Sequence, residues 1–339
     1  MVKELIMEQL PTGFCHASTI IRLKTGGLLC CWFGGSYEGQ ADVAIYCSRN
    51  EGQGWTKPQK LVDSEEANWN PVLFYNQEGT LLLFCKAGNK IASWKTLVLR
   101  SSDHGKTWSE ASELVAGDES GGRGPVRNKP LLTKAGLLLA GGSTEQGIWQ
   151  AFVDYSSDGG SSWTKSNSIG IKDLTYQEGE KTADSTIAVS EQSFYGRGVI
   201  QPSLWESSAG THMLLRSSEG FVYTSSSCDG GKTWTEAYKT NLPNNNSGLD
   251  LCGPLRGRLY LVCNPVAANW GLRSPLSLLQ SADNGCTWTK VLDLETEPSE
   301  FSYPAIIEDN GGLCLTYTWK RQNIACVRLS QEELDALLF

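Results

Sequence analysis

The sequence is poor in charge, in histidine and in methionine. Of its 339 residues 19% are Asp, Glu, Lys or Arg, three are histidine and three are methionine. No run approaches the roughly 18 apolar residues of a membrane-spanning helix, so no span is expected. The opening segment MVKELIMEQL has no apolar leader core, so no secretory signal is expected either. There is no basic block. Lys and Arg number 29 against 37 Asp and Glu, a net charge of −8, which disfavours both nucleic-acid phosphates and anionic membrane surfaces as partners. The eleven cysteines are an odd number, scattered and without a Cys-x-x-Cys. They read as small buried hydrophobes of a reducing compartment, which sets the expectation of a cytoplasmic protein without a disulfide framework. No Cys/His cluster suggests zinc, and no motif suggests any other metal or a cofactor.

What the chain does have is glycine, 36 residues, and tryptophan, 12, within a composition that is 40% hydrophobic. That is ample for a core and fits a turn-rich β protein better than a helical bundle. A repeat then decides the fold class. The pattern Ser-x-Asp-x-Gly-x-x-Trp begins at Ser101, Ser156, Ser227 and Ser281, with a degenerate copy, Ser48-Asn50-Gly52-Trp55. The serines are 53, 55, 71 and 54 residues apart, the long step pointing to an insertion within Asp173–Ser193. Asp or Asn accepts backbone N–H bonds in a tight turn, glycine supplies positive φ, and the tryptophan packs the turn onto its own sheet. These are structural residues. A unit of about 54 residues with four short alternating strands is a propeller blade, and the chain is six such units long. The expectation is an all-β, six-bladed β-propeller. Its sixth blade runs over Phe301–Leu329, closed by an N-terminal strand near Leu5–Leu10. A short C-terminal helix follows, capped by Ser330 and Glu333 and packed through Leu334, Leu337 and Leu338. No linker composition interrupts residues 1–339, which read as one domain.

A second repeated element, a residue followed by proline and apolar residues, opens strands at Asn70-Pro71, Lys129-Pro130, Gln201-Pro202 and Tyr303-Pro304. Asn70 and Tyr303 each lie 15 residues after the preceding pattern tryptophan. The same phase adds His16 and Asp250. Inner strands of a propeller line its channel, so His16, Asn70, Lys129, Gln201, Asp250 and Tyr303 are expected as a polar ring on one face. Strand two returns to that face, bringing Trp32, Lys86, Arg216, Asn264, Trp319 and the neighbouring Arg321. Third strands begin there near Asp42, Trp94, Trp149 and Arg273, with Glu38 and Glu145 alongside. Clustered Arg and Lys suit an anionic ligand, and Arg can grip a carboxylate with two bonds. Tryptophans offer flat faces for sugar rings. Glu38 has general acid–base chemistry, and a tyrosine flanked by arginines ionises more easily. A carboxylated sugar is the ligand class these residues suggest. Arg123 and Arg127 are expected on the positive rim or in solvent.

The repeated turns, the six-fold period and the order of polar residues resemble the sialidase (neuraminidase) superfamily, specifically BNR/Asp-box repeat proteins, over nearly the whole chain. Glu38-Gly39-Gln40-Ala41-Asp42-Val43 and Phe301-Ser302-Tyr303-Pro304 carry the likeness further. It implies that Arg216 and Arg273 are two arginines of a carboxylate-binding triad, Tyr303 the nucleophile, and Glu38 the acid/base carboxylate. It also marks two departures. His16-Ala17-Ser18 stands where an Arg-Ile-Pro element carries the first triad arginine, and Gln201 replaces the glutamate that assists the tyrosine. A sialidase-like exo-glycoside hydrolase is the leading expectation, with Tyr303, Glu38 and His16 at the chemistry. Arg216, Arg273, Lys129, Gln201, Asn70, Asp42, Asp250, Arg321 and Trp319 are expected on the acidic sugar. A uronate-glycan lyase using His16 or Tyr303, and a non-catalytic acidic-sugar-binding propeller, are the alternatives.

Overall fold

The computed structural model describes residues 1–176 and 184–337. Its strands form six blades, each a four-stranded antiparallel meander of short alternating segments. Blade one comprises Phe14–Arg22, Leu28–Gly35, Ala44–Asn50 and Gln59–Val62; blade two comprises Asn68–Tyr75, Leu81–Ala87, Lys95–Ser101 and Ser112–Glu113. Blade three has only a two-residue inner strand, Leu131–Leu132, before Leu138–Thr144, Ile148–Ser156 and Thr164–Lys165. Blade four (Arg197–Ser207, Gly210–Ser217, Phe221–Ser227, Tyr238–Pro243) is tied to blade three by a short parallel pairing of Ile148 with Arg197 and Trp149 with Gly198. Blade five is Asp250–Leu255, Arg258–Cys263, Leu276–Ser281 and Thr289–Glu295.

Blade six contains Phe301–Asp309, Gly312–Trp319 and Asn323–Leu329, and its fourth strand is Val2–Leu5, with Val2 opposite Arg328 and Leu5 opposite Ala325. The closing strand is therefore a few residues earlier than the sequence pattern suggests. Ile6 and Met7, inside the expected span, instead pack into the seam between blades one and six.

The core is a ring of seams. One apolar cluster lies between each pair of neighbouring blades, from Phe33, Trp69 and Leu83 between one and two to Cys30, Trp32 and Cys326 between six and one. The seam between blades two and three is the thinnest, four fully buried residues (Val72, Leu82, Phe84, Val98) covered by Trp163. Burial of such flat, mutually facing sheet surfaces is what a strand with both faces apolar requires.

The repeated turns form as their composition dictates. In blade two Asp103 accepts bonds from Ser101 Oγ (2.8 Å), Thr107 N (2.9 Å) and Thr107 Oγ1 (2.6 Å), and Gly105 N donates to Ser101 Oγ (2.7 Å). Blades three, four and five repeat this set at Asp158, Asp229 and Asp283. The C-terminal helix, Gln331–Leu337, starts with the expected reciprocal cap between Ser330 and Glu333. Leu334 is buried, but Leu337 stays exposed because the helix is barely two turns long; Leu338 lies outside the described residues, as do 177–183 of the expected insertion. All eleven cysteines are free, and nine are buried.

Candidate functional site

A pocket opens at one mouth of the channel, and inner-strand bulges aim residues into it. In blades one, two, four and six the antiparallel register slips, between His16 and Thr19, Trp69 and Val72, Ile200 and Ser203, and Ser302 and Ala305. The first bulged residue takes positive φ each time: Ala17 54°, Asn70 45°, Gln201 56° and Tyr303 52°. In three of these the next residue is proline, which cannot donate to a sheet ladder and is tolerated at a bulge. Left-handed backbone at a non-glycine residue costs of order 1–3 kcal/mol, and here it is held at four equivalent inner-strand positions.

Asn70, Gln201 and Tyr303 reach the pocket as expected. Blade one is out of phase by one, since Ala17 rather than His16 is the bulge residue. His16 still lines the pocket, from the position before it, with its ring 4.3 Å from that of Tyr303.

Three arginines converge here. Arg216 leaves the end of the second strand of blade four, where Asn246 Oδ1 anchors its Nε at 2.7 Å, and its Nη1 donates to Tyr303 Oη at 2.7 Å. Arg273 stands on the loop before the third strand of blade five, its Nη1 buried without a hydrogen-bond partner and 3.9 Å from Glu300. Arg321 comes from the hairpin turn of blade six, where Nε meets Glu300 at 2.9 Å and Nη1 pairs with Glu38. Below them Arg127, 2% exposed, sits 5.2 Å from the Tyr303 ring and donates to Pro304 O at 2.7 Å. Gln201 completes the contacts of the phenol, Nε2 donating to Oη at 3.4 Å, and Gly248 lies against the ring.

The electrostatics follow from this crowd. Burial alone would raise the Tyr303 phenol; Arg216 and Arg273 outweigh it and bring the group below its ordinary value. His16 is driven well down, by burial first and then by Arg321, Arg273, Arg127 and Arg216, so the imidazole is neutral. Ala17 N donates to Thr318 Oγ1, and the Thr318 hydroxyl shares a hydrogen bond with His16 Nδ1, both at 3.0 Å. Glu300 is held low: burial opposes the charge, but Arg321 and Arg273 favour it more. Glu145, from the hairpin between Leu138–Thr144 and Ile148–Ser156, is 9% exposed, and its carboxyl is raised by burial against a smaller lowering by Arg216.

The rest of the lining is largely aromatic, Phe33, Trp69, Trp94, Trp149, Phe194 and Trp270, with the Arg216 guanidinium 5.9 Å from the Trp149 ring and 5.8 Å from that of Trp270. The pocket thus combines guanidiniums from blades four to six with aromatics from blades one to three, from the segment before blade four (Phe194) and from blade five (Trp270).

Four expected residues are not in this pocket. Lys129 turns down the channel to Asp250 (2.7 Å) and Leu251 O (2.7 Å), because the inner strand of blade three is too short to hold it at the mouth. Asp250 lies below the mouth as a structural hub, accepting also from Ser203 Oγ (2.8 Å) and Ile306 N (3.0 Å). Asp42 closes its own loop by accepting from Ser36 N and Oγ, each at 2.9 Å. Trp319 packs in the seam between blades five and six under Lys320. Neither Arg123 nor Arg127 is a solvated rim residue: Arg123 grips the buried Asp154 through Nε (2.9 Å) and Nη2 (2.6 Å), and Arg127 supports Tyr303. Sequence reasoning missed Glu300, which lies three residues before Tyr303 and holds Arg321 behind the lining, and it missed Phe33, Trp69, Phe194 and Trp270 of the wall.

Residues 26–315 match the model of the BNR repeat-like domain family. No curated protein sequence matches the chain. Among solved structures it is similar to a protein of unknown function from Dyadobacter fermentans DSM 18053 (TM-score 0.73, 16% identity, 96% of each chain covered). It is similar also to the NanB sialidase from Streptococcus pneumoniae (TM-score 0.73, 12% identity, 97% of this chain and 71% of that one). A third is the intramolecular trans-sialidase from Ruminococcus gnavus (TM-score 0.70, 12% identity, 95% of this chain and 96% of that one).

Proposed function

The chain belongs to the BNR repeat-like domain family, and on that premise we propose that it is a sialidase-type glycoside hydrolase for a terminal sugar bearing a carboxylate at its anomeric carbon. The observation that carries this reading is the 2.7 Å bond from Arg216 to Tyr303 Oη in a pocket that gathers two further guanidiniums. Arg273 Nη1, buried without a hydrogen-bond partner and 3.9 Å from Glu300, is the donor such a carboxylate would satisfy. Arg321 enters from blade six and stands in for the triad arginine that His16-Ala17-Ser18 lacks.

In this reading the ligand carboxylate is gripped by Arg216, Arg273 and Arg321, which removes its repulsion toward an incoming oxyanion. Tyr303 reacts as the phenolate. Gln201 has no basic atom to take the phenol proton, so ionisation to solvent precedes attack, eased by Arg216 and Arg273. Oη bonds to the anomeric carbon, the leaving oxygen departs with a proton from the site, and water then releases the sugar with its configuration retained. His16 stands beside Tyr303 as a neutral imidazole. A buried imidazole among four guanidiniums is a poor base, which weighs against the lyase reading that uses it.

The test is turnover of a fluorogenic α-ketoside of a nonulosonic acid by the wild type and by Tyr303→Phe. The expected result is wild-type hydrolysis with at least about a thousandfold loss in the variant. Retained turnover in Tyr303→Phe would overturn the assignment. So would a wild type that leaves the ketoside intact, whether it releases an unsaturated sugar from a uronate glycan or only binds.

A further inference from the structure

Of the pocket's two lining carboxyls, Glu38 is bound to Arg321, a guanidinium also held by Glu300. That ion pair occupies the Glu38 carboxylate and holds it on Arg321 rather than free to meet a leaving oxygen. Glu145 is placed differently. It is 9% exposed on a hairpin of blade three, next to Trp149 and the aromatic wall, and it makes no ion pair among the described residues. Its one influential charge is Arg216, the same arginine that holds Tyr303 Oη.

We infer that Glu145, not Glu38, is the proton donor to the leaving oxygen, an assignment that rests on the hydrolase reading above. The two groups flanking Arg216 are biased in opposite directions, the phenol toward ionisation and the carboxyl toward protonation. That divergence is how paired acid and nucleophile assignments arise in one site. The step balances. As the Tyr303 Oη–carbon bond forms and the glycosidic carbon–oxygen bond breaks, the Glu145 proton passes to the departing oxygen. The resulting carboxylate is then stabilised by Arg216. In the second half-reaction it takes a proton from the attacking water, the Tyr303–carbon bond breaks, and both groups return to their starting states. Glu38 is in this scheme a positioning residue, holding Arg321 for the substrate carboxylate.

The experiment compares two ketosides of the same acidic sugar, one with an aryl leaving group that departs without protonation and one with an alkyl alcohol. Glu145→Gln is expected to lose about 10²–10⁴-fold on the alkyl ketoside and less than about tenfold on the aryl one. The retained aryl turnover doubles as proof of folding. Glu38→Gln is expected to raise KM for both substrates together, leaving their ratio unchanged. A leaving-group split in Glu38→Gln, or its absence in Glu145→Gln, overturns this inference alone. A wild type that turns over neither substrate overturns the hydrolase reading and this inference with it.

Discussion

Arg216 Nη1 donates to Tyr303 Oη across 2.7 Å, joining the second strand of blade four to the inner strand of blade six at the channel mouth. That bond sets the ionisation of the phenol. Burial opposes the phenolate, and Arg216 with Arg273 more than offsets it. An ultraviolet difference titration of the wild type against Tyr303→Phe should therefore show one tyrosine ionising below the usual value of about 10. Arg216→Gln should move that transition upward. An unshifted transition in the variant would remove Arg216 from its role.

Arg273 lines the pocket with a buried Nη1 that has no hydrogen-bond partner, so its loss should be felt in binding. Arg273→Ala is expected to weaken affinity for a free carboxylated sugar about a hundredfold by calorimetry, and Arg273→Lys to recover little of it, since an ammonium lacks the planar fork. Equal affinity in wild type and Arg273→Ala would contradict the carboxylate assignment.

His16 should stay neutral at every pH between 5 and 8 in nitrogen-15 spectra, because its folded value lies well below 6.5. The sign of the stability linkage follows. The unfolded chain binds a proton that the folded one refuses, so His16 costs stability progressively as pH falls below about 6.5, and nothing above it. His16→Asn should flatten that acid limb of the unfolding curve. A histidine that titrates near 6.5 in the folded protein would contradict the assignment.

Much of the fold was legible in the sequence because a turn with Ser, Asp, Gly and Trp at fixed positions has one good hydrogen-bonding solution, and its spacing counts blades. The site was legible where a bulge and a following proline repeat faithfully, at Asn70, Gln201 and Tyr303. It failed where blades are irregular. Blade three has a two-residue inner strand, so counting places Lys129 at the mouth when Arg127 is the residue beside Tyr303. In blade five the phase lands on Asp250, whereas Gly248, with no side chain to announce it, lies against Tyr303. Pairings such as Arg321 with Glu38 and Glu300 join segments far apart in the chain, and spacing carries no trace of them.

Lys129 and Asp250, expected on the ligand, should act on stability instead. Asp250→Ala strands a lysine and two further donors in the channel and should cost about 3 kcal/mol in urea unfolding. Lys129→Met should leave affinity for the acidic sugar unchanged.

The blade seam should behave likewise. Trp163 covers the thin contact between blades two and three, so Trp163→Ala should cost about 3 kcal/mol without altering the pH profile of turnover. A change in that profile would give this turn a part in the chemistry.

The most direct measurement is covalent trapping. The protein would be incubated with an acidic sugar carrying fluorine beside the anomeric carbon and a fluoride leaving group, which slows release of a glycosyl-enzyme, and its intact mass and peptides then read. A single added sugar on the peptide containing Tyr303, absent from Tyr303→Phe, is the predicted result. An adduct on any other residue, or turnover of the natural glycoside with no adduct, would contradict a tyrosine nucleophile at this site.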